Sequence, residues 1–346
     1  MKRTRFALLA VGFGLLGGLL ASRGADAQQT PPAPAAGATR SLSVATLAPA
    51  GSTWMRVLEA WNRELRRRTN KALQLRIFPG GVQGDESEVI RKIRTGRLDG
   101  GAVTAVGLSQ IHRPSLTFQM PGMFRNYAQL DAARTATASQ VSTAFDQAGF
   151  VFMGWADVGF SRVFSRAPVR TPADMRALHP YLWRDDLVMP AVFTEVFGEN
   201  RPGPVQMQLP EVLTALQTNR ADSFVTPPVA AISLQWAQQA THMTDMNVAV
   251  VVGATVFGKS QFNTLPADQQ TALRETATQF HQLLIQNLRR DETAALAGMG
   301  TRNITVVTPT DAERAQWTSL FERARGRLVG RIADQAFINT VQEAAH

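Results

Sequence analysis

The stretch ESEVIRKIRTGRLDG, Glu86–Gly100, decides how this chain is read, because LPEVLTALQTNRADS, Leu209–Ser223, repeats it. Aligning Glu88 with Glu211 sets Val89 on Val212, Thr95 on Thr218, Arg97 on Arg220 and Asp99 on Asp222. Gly96 falls on Asn219, and these are the two residue types best able to take the left-handed conformation at a helix end. Each copy reads as an amphipathic helix, a cap, and a short strand beginning at the Asp. Helix-cap-strand units resemble one another, so chance competes with true equivalence. Equivalence predicts two similarly built lobes.

Outward from the first copy, Ser41–Thr46 alternates as a strand, and Pro49-Ala50-Gly51 turns into a helix. That helix carries Trp54, Val57, Leu58, Trp61 and Leu65 in one apolar stripe. Leu73–Phe78 is the next strand, Pro79-Gly80-Gly81 opens a loop, and a helix spans about Glu86–Thr95, closed by Gly96 as a left-handed cap. This rhythm predicts an α/β fold with a largely parallel sheet. Thr171-Pro172-Ala173-Asp174 predicts a helix start with Thr171 as N-cap, and Thr310-Asp311-Ala312-Glu313 another, close to the capping-box form. Pro266 to about Gly298 holds Leu273, Ala277, Phe280, Leu284 and Leu288 at helical spacing, which predicts one helix long enough to bridge two lobes.

At the start of the chain, Lys2, Arg3 and Arg5 precede an apolar run from Phe6 to about Ala21, followed by Ala25-Asp26-Ala27. This predicts a cleavable signal peptide over 1–27 and export to the periplasm, favoured over a retained anchor by the glycines of the run and its small-x-small site. Gly12-Phe13-Gly14-Leu15-Leu16-Gly17 matches a dinucleotide fingerprint but lacks the preceding strand. Residues 28–40, rich in Pro and Ala, read as a flexible leader. The rest is long enough for two domains.

The formal charge is +9, of which Lys2, Arg3, Arg5, Arg23 and Asp26 contribute +3. Basic residues are scattered, and Arg66-Arg67-Arg68 reads as a solvated helix end, so no nucleic-acid partner is expected. There is no cysteine, which removes disulfides, thiolate nucleophiles, Cys-ligated zinc and a lipidated cysteine. No G-x-S-x-G, P-loop or H-E-x-x-H is present, and His112, His179, His242, His281 and His346 lack metal-ligand spacing. No catalytic residue, cofactor or metal site is assigned. Asp185-Asp186 reads as support for the N-terminus of a helix over LVMPAVFTEVF.

Between the expected cap at Thr171 and those acids, Pro180–Trp183 reads as a strand whose alternation puts Tyr181 and Trp183 on one face. Strand ends of this kind form ligand sites in α/β folds, although two aromatics also suit a lobe core.

The order GWADVGFSRVFSRAPVRTPADMRALHPYLW, then LPEVLTALQTNRADSFVTPP, then KSQFNTLPADQQ, with PSLTFQMPGMF earlier, resembles the solute receptors of tripartite ATP-independent periplasmic (TRAP) transporters of the DctP-like family. The resemblance covers essentially the whole chain after the leader. It implies a two-lobed periplasmic binding fold, type II-like, with hinge strands and a long bridging helix. Lobe 1 is expected over 41–159 with about 252–290, and lobe 2 over 160–251 with about 291–346. The implied partners are a small-molecule solute, commonly an organic acid, and an integral-membrane permease.

The family commonly grips a substrate carboxylate with two arginines. The resemblance puts the first at Arg162, in Gly159-Phe160-Ser161-Arg162. At the second, Tyr181 stands where an arginine is expected, with Arg184 one residue out of phase. A family asparagine falls on Thr226, beside Phe224, and an acidic position falls on Thr104. Exchanging a charged fork for a phenol makes a cleft less polar. The expectation is therefore a monocarboxylate with an apolar body, anchored by Arg162 and walled by Tyr181 and Trp183. An uncharged or lipid-like solute, with Arg162 in a structural ion pair, is the alternative; an exported hydrolase or lyase on the same scaffold is the remaining one.

Overall fold

A computed structural model of the protein describes residues 39–198 and 203–345. The expected signal peptide, the fingerprint match at 12–17 and nearly all of the leader lie outside them. The described chain begins β1 (Arg40–Thr46), α1 (Thr53–Arg68), β2 (Leu73–Phe78), α2 (Glu86–Arg94), β3 (Gly100–Thr104), α3 (Ala105–Ser109) and α4 (Tyr127–Gln147). It continues with β4 (Phe150–Phe160), β5 (Arg162–Ser165), β6 (Tyr181–Trp183), α5 (Met189–Phe197), β7 (Val205–Met207), α6 (Val212–Gln217), β8 (Ser223–Thr226) and α7 (Pro228–Ser233). It ends with β9 (His242–Thr244), β10 (Val250–Gly258), α8 (Lys259–Asn263), α9 (Ala267–Ala297), β11 (Thr305–Val307), α10 (Asp311–Leu328) and α11 (Gln335–Ala344).

Two principal sheets organise these elements, one ordered β2-β1-β3-β10-β4 and the other β11-β9-β5-β8, with a β6-β7 pair bridged to β8 at Pro180 and Ser223. The pairs β1-β2 and β1-β3 are parallel, as alternating strand and helix predict. The sheet is nevertheless mixed, because β10 runs antiparallel to both β3 and β4. The physical reason is connectivity: β4 carries the chain out of the first sheet, Ser161 is the only residue between it and β5, and β10 brings the chain back after β9. These crossings form the hinge of a two-lobed fold.

The repeat is borne out in atomic detail. After α2, Arg97 N donates to Lys92 O at 2.9 Å and Gly96 N to Ile93 O at 3.0 Å, with Gly96 at φ 71°. After α6, Arg220 N donates to Ala215 O at 2.9 Å and Asn219 N to Leu216 O at 3.4 Å, with Asn219 at φ 59°. Both are Schellman closures. Each following Asp then ties the chain to a neighbouring segment: Asp99 accepts from Ser43 N, within β1, at 2.7 Å, and Asp222 from His179 N, just before β6, at 2.7 Å.

The long helix spans 31 residues as α9 and packs against β4, α1 and α7, so it reaches elements beside both sheets. Trp61, fully buried, donates its indole N–H to Thr276 on α9 at 2.8 Å. Further along, Arg289 holds the fully buried Asp157 at 2.7 Å and forks onto both oxygens of Asp131. Arg134 reaches Asp157 from the other side at 2.7 Å. Thr310 caps α10 in a full capping box, as predicted. Thr171 does not cap a helix: Asp174 accepts from the backbone N–H groups of Arg170 and Thr171, and only a short 3-10 turn, Asp174–Ala177, forms. The basic run ends α1 in solvent, with Arg67 and Arg68 paired to Glu64. Among the described residues, no helix is long and apolar enough to cross a membrane.

Candidate functional site

Four strands end at one cavity. Thr46, Thr104, Trp183 and Thr226 are the last residues of β1, β3, β6 and β8, and all four line a space of about 190 Å³ between the two sheets. Carboxyl ends of neighbouring strands leave a crevice of this kind because the chain departs to helices on either side. The wall is mainly apolar, with Trp54, Val103, Val158, Leu182, Val225, Trp236 and Val251 among its members.

Tyr181 is 8% exposed, and its ring meets Trp236 edge-on at 5.5 Å. Its hydroxyl is buried without a hydrogen-bond partner. A buried orphan hydroxyl at a cavity wall is costly unless something else satisfies it. Burial, with Asp85 and Asp186 nearby, pushes its pKa well above the usual tyrosine value, so it stays a donor.

Trp183 joins the two repeats. Its indole N–H donates to Asp85 Oδ2 at 2.9 Å and lies 3.2 Å from Gln208 Oε1. Asp85 and Gln208 are the residues that begin the two equivalent helical segments, at α2 and before α6. A second contact crosses beside it, with Ser87 Oγ donating to Asp185 Oδ2 at 2.6 Å.

The cavity's ionisable groups are acidic. Glu86 is 1% exposed and accepts from Thr104 N at 2.7 Å, Thr104 Oγ1 at 2.7 Å and Gly107 N at 2.8 Å. Burial nevertheless outweighs these donors and pushes its pKa up to about 7. Asp186 is also raised by burial, although it accepts from Val188 N and Met189 N and so supports the start of α5 as expected. Among the described residues, the lining includes no Lys, Arg or His.

The structure thus brings Tyr181, Trp183, Thr104 and Thr226 together. It does not bring the other three expected residues to this cavity. Phe224 is 1% exposed and stacks on Phe164 at 5.1 Å, in the apolar core that also holds Met207 and Met243. Arg184 points outward, more than half exposed, 3.9 Å from Glu211. Arg162 lines a different cavity, where its Nη1 donates to Asn247 Oδ1, because adjacent residues of an extended chain face opposite ways and it is Ser161 that faces the cleft. Sequence reasoning passed over Glu86, Asp85, Trp54 and Trp236. For the two acids a signal existed: they follow a glycine-rich loop after a strand's carboxyl end, where ligand sites form.

Residues 44–326 match the model of the bacterial extracellular solute-binding protein family 7, DctP. The 2,3-diketo-L-gulonate-binding periplasmic protein of Escherichia coli K12 is 25% identical over 256 residues, 72% of this chain and 76% of that protein. Among solved structures, a TRAP periplasmic solute-binding protein from Shewanella oneidensis with bound succinate superposes with a TM-score of 0.82, at 17% identity, over 89% of this chain and 100% of that one. A Bordetella pertussis extracytoplasmic solute receptor binding pyroglutamic acid gives 0.81, at 15% identity, over 89% and 99%. The architecture is therefore the two-lobed periplasmic binding fold, and the chain belongs to the bacterial extracellular solute-binding protein family 7.

Proposed function

We propose that this protein is the periplasmic solute receptor of a TRAP-type transporter, and that it binds a small solute with an apolar body between its lobes and delivers it to a membrane permease. Binding is then a closure of residues 41–159 with about 252–290 onto 160–251 with about 291–346, about the crossing at Ser161. The observation that carries the solute class is the lining itself: an apolar wall, an orphan Tyr181 hydroxyl, two acids and, among the described residues, no cationic side chain. An anion desolvated there would meet Glu86 and Asp186 without a counter-charge, which costs several kcal/mol. A solute whose polar head is uncharged when bound fits better.

A second reading is favoured by the relatives, whose names give 2,3-diketo-L-gulonate, succinate and pyroglutamic acid as ligands. In that reading the solute is a monocarboxylate that shares a proton with Glu86, whose pKa near 7 lets it donate. The test is a thermal-shift screen after refolding to remove carried-over ligand, comparing small carboxylates with their amides and esters. At about a hundred times its dissociation constant a true ligand adds roughly 2.7 kcal/mol. Shifts from amides and esters alone support the uncharged head. Shifts from acids alone, fading as pH rises past about 7, support the shared proton instead. Acid binding that is indifferent to pH removes both readings of the head group.

A further inference from the structure

Behind the hinge, on the face that Ser161 does not see, lies a larger cavity of about 620 Å³. Arg162 enters it from the start of β5, Arg125 from the loop before α4, Asp245 and Asn247 from the returning strand crossing, and Arg314 and Arg325 from α10. Among the described residues, four guanidinium groups line it beside two acids, Asp245 and Glu322, while Glu292 acts on Arg162 from outside the lining.

The arginines are not used up by the fold. Arg162 is 7% exposed, yet its Nε has no hydrogen-bond partner, and Asp245 stands 3.9 Å away with nearly half of its side chain in solvent. Arg325 donates one Nη1 proton to Pro121 O at 2.7 Å. Among the described residues, the side chains of Arg125 and Arg314 have neither a hydrogen bond nor an ion pair. A desolvated guanidinium with an unmet N–H is costly, and several planar forks turned to one space match the lone pairs of an oxyanion.

We propose that this cavity is a second binding site, for a small divalent oxyanion held by Arg162, Arg314 and Arg125. The excess of positive charge calls for an anion, and three separate forks suit one with several oxygens to share, a requirement met by a dicarboxylate and by a tetrahedral anion of the sulfate type. Because its walls come from the hinge crossing, the loop before α4 and α10, an occupant ties together elements that must shift when the lobes open. Occupancy should therefore stiffen the hinge without entering the cleft.

The experiment titrates the intact protein with sodium sulfate in one arm and sodium succinate in the other, with sodium chloride holding ionic strength constant, and follows the unfolding midpoint. A saturable rise is expected from at least one anion. Sulfate also stabilises proteins by exclusion from their surfaces, but that effect grows without saturating. In the double variant Arg125→Gln/Arg314→Gln, at partly exposed positions, the apparent affinity should fall at least about tenfold. In Ser233→Trp, which fills the cleft from α7, it should be unchanged. Either anion behaving so supports the site, and the arm that responds identifies the geometry of the anion. No saturable rise in either arm, or an equal rise in the double variant, overturns it. A rise lost in Ser233→Trp and kept in the double variant also overturns it, and places a dianion in the cleft, against the uncharged head proposed above.

Discussion

At the scale of single residues, Tyr181 and Trp183 carry the clearest expectations. Their shared face was legible because strand alternation is a property of backbone geometry and needs no partner. The side of the hinge that Arg162 faces was not, since it depends on where one strand stops and the next begins, at Ser161. Trp183→Phe keeps an aromatic ring, though a smaller one, and deletes the N–H that reaches Asp85 across the cleft and Gln208 on its own side. A hydrogen bond to a carboxylate contributes about 1.5–3 kcal/mol, so the dissociation constant of an identified solute should rise about tenfold or more. Calorimetry reads this directly, and an unaltered constant would remove Trp183 from the closing contact. Tyr181→Phe should act with opposite signs on two quantities. Deleting an orphan hydroxyl leaves the ligand-free protein as stable or about 1 kcal/mol more so, while solute affinity falls if that hydroxyl meets the ligand. Loss of stability in the free variant would mean the hydroxyl already has a partner.

Elements were more legible than residues. Leu73–Phe78 was read to its ends, and the long helix and the capping box at Thr310 were found as expected, because each rests on local periodicity or cap chemistry. The failure at Thr171 is instructive. The sequence has a good N-cap pattern, and Asp174 accepts from the backbone N–H of Thr171 as the third residue of a capping box does, but the turn that follows ends after four residues. The mixed sheet was also out of reach, because the direction of β10 follows from a crossing between lobes and leaves no local mark. The equivalence of the two helix ends is testable at this scale. Gly96→Ala and Asn219→Ala each force a Cβ-bearing residue without a polar side chain into the left-handed region, at a cost of about 1–2 kcal/mol. Asn219→Gly should stay within about 0.5 kcal/mol of the parent. Denaturant unfolding of the three variants checks this, and unequal costs for the two alanine changes beyond about 1 kcal/mol would mean the two caps are held differently by their surroundings.

For the whole molecule, two buried groups pull stability against pH in opposite directions. Glu86 sits at the cleft with its pKa raised to about 7 by burial, against the donors of Thr104 and Gly107, with Asp85 adding to the rise. Folding therefore takes up a proton there between the ordinary glutamate range and 7, and stability is lost as pH rises through that window, by about 3 kcal/mol in full. His281, buried on α9 between Ala277 O and Thr255 Oγ1, has its pKa lowered to about 4 by burial. The unfolded chain binds the extra proton in that case, so stability present above the ordinary histidine value is lost as pH falls toward 4, again by about 3 kcal/mol. The windows overlap with opposite slopes, so these two contributions nearly cancel between about pH 5 and pH 7, and the parent's own profile follows its other buried groups, such as Asp186 and Glu292, which burial also raises. Glu86→Gln keeps an acceptor for the Thr104 and Gly107 groups and removes one slope. Relative to the parent, its midpoint should climb over the same interval, because the histidine contribution is no longer offset. His281→Gln should show the reverse, a midpoint that falls as pH rises. Parallel profiles for all three proteins would mean that neither group changes its proton affinity on folding, and the Glu86 carboxyl would then be an ordinary carboxylate at neutral pH, unable to share a proton with an acid in the cleft.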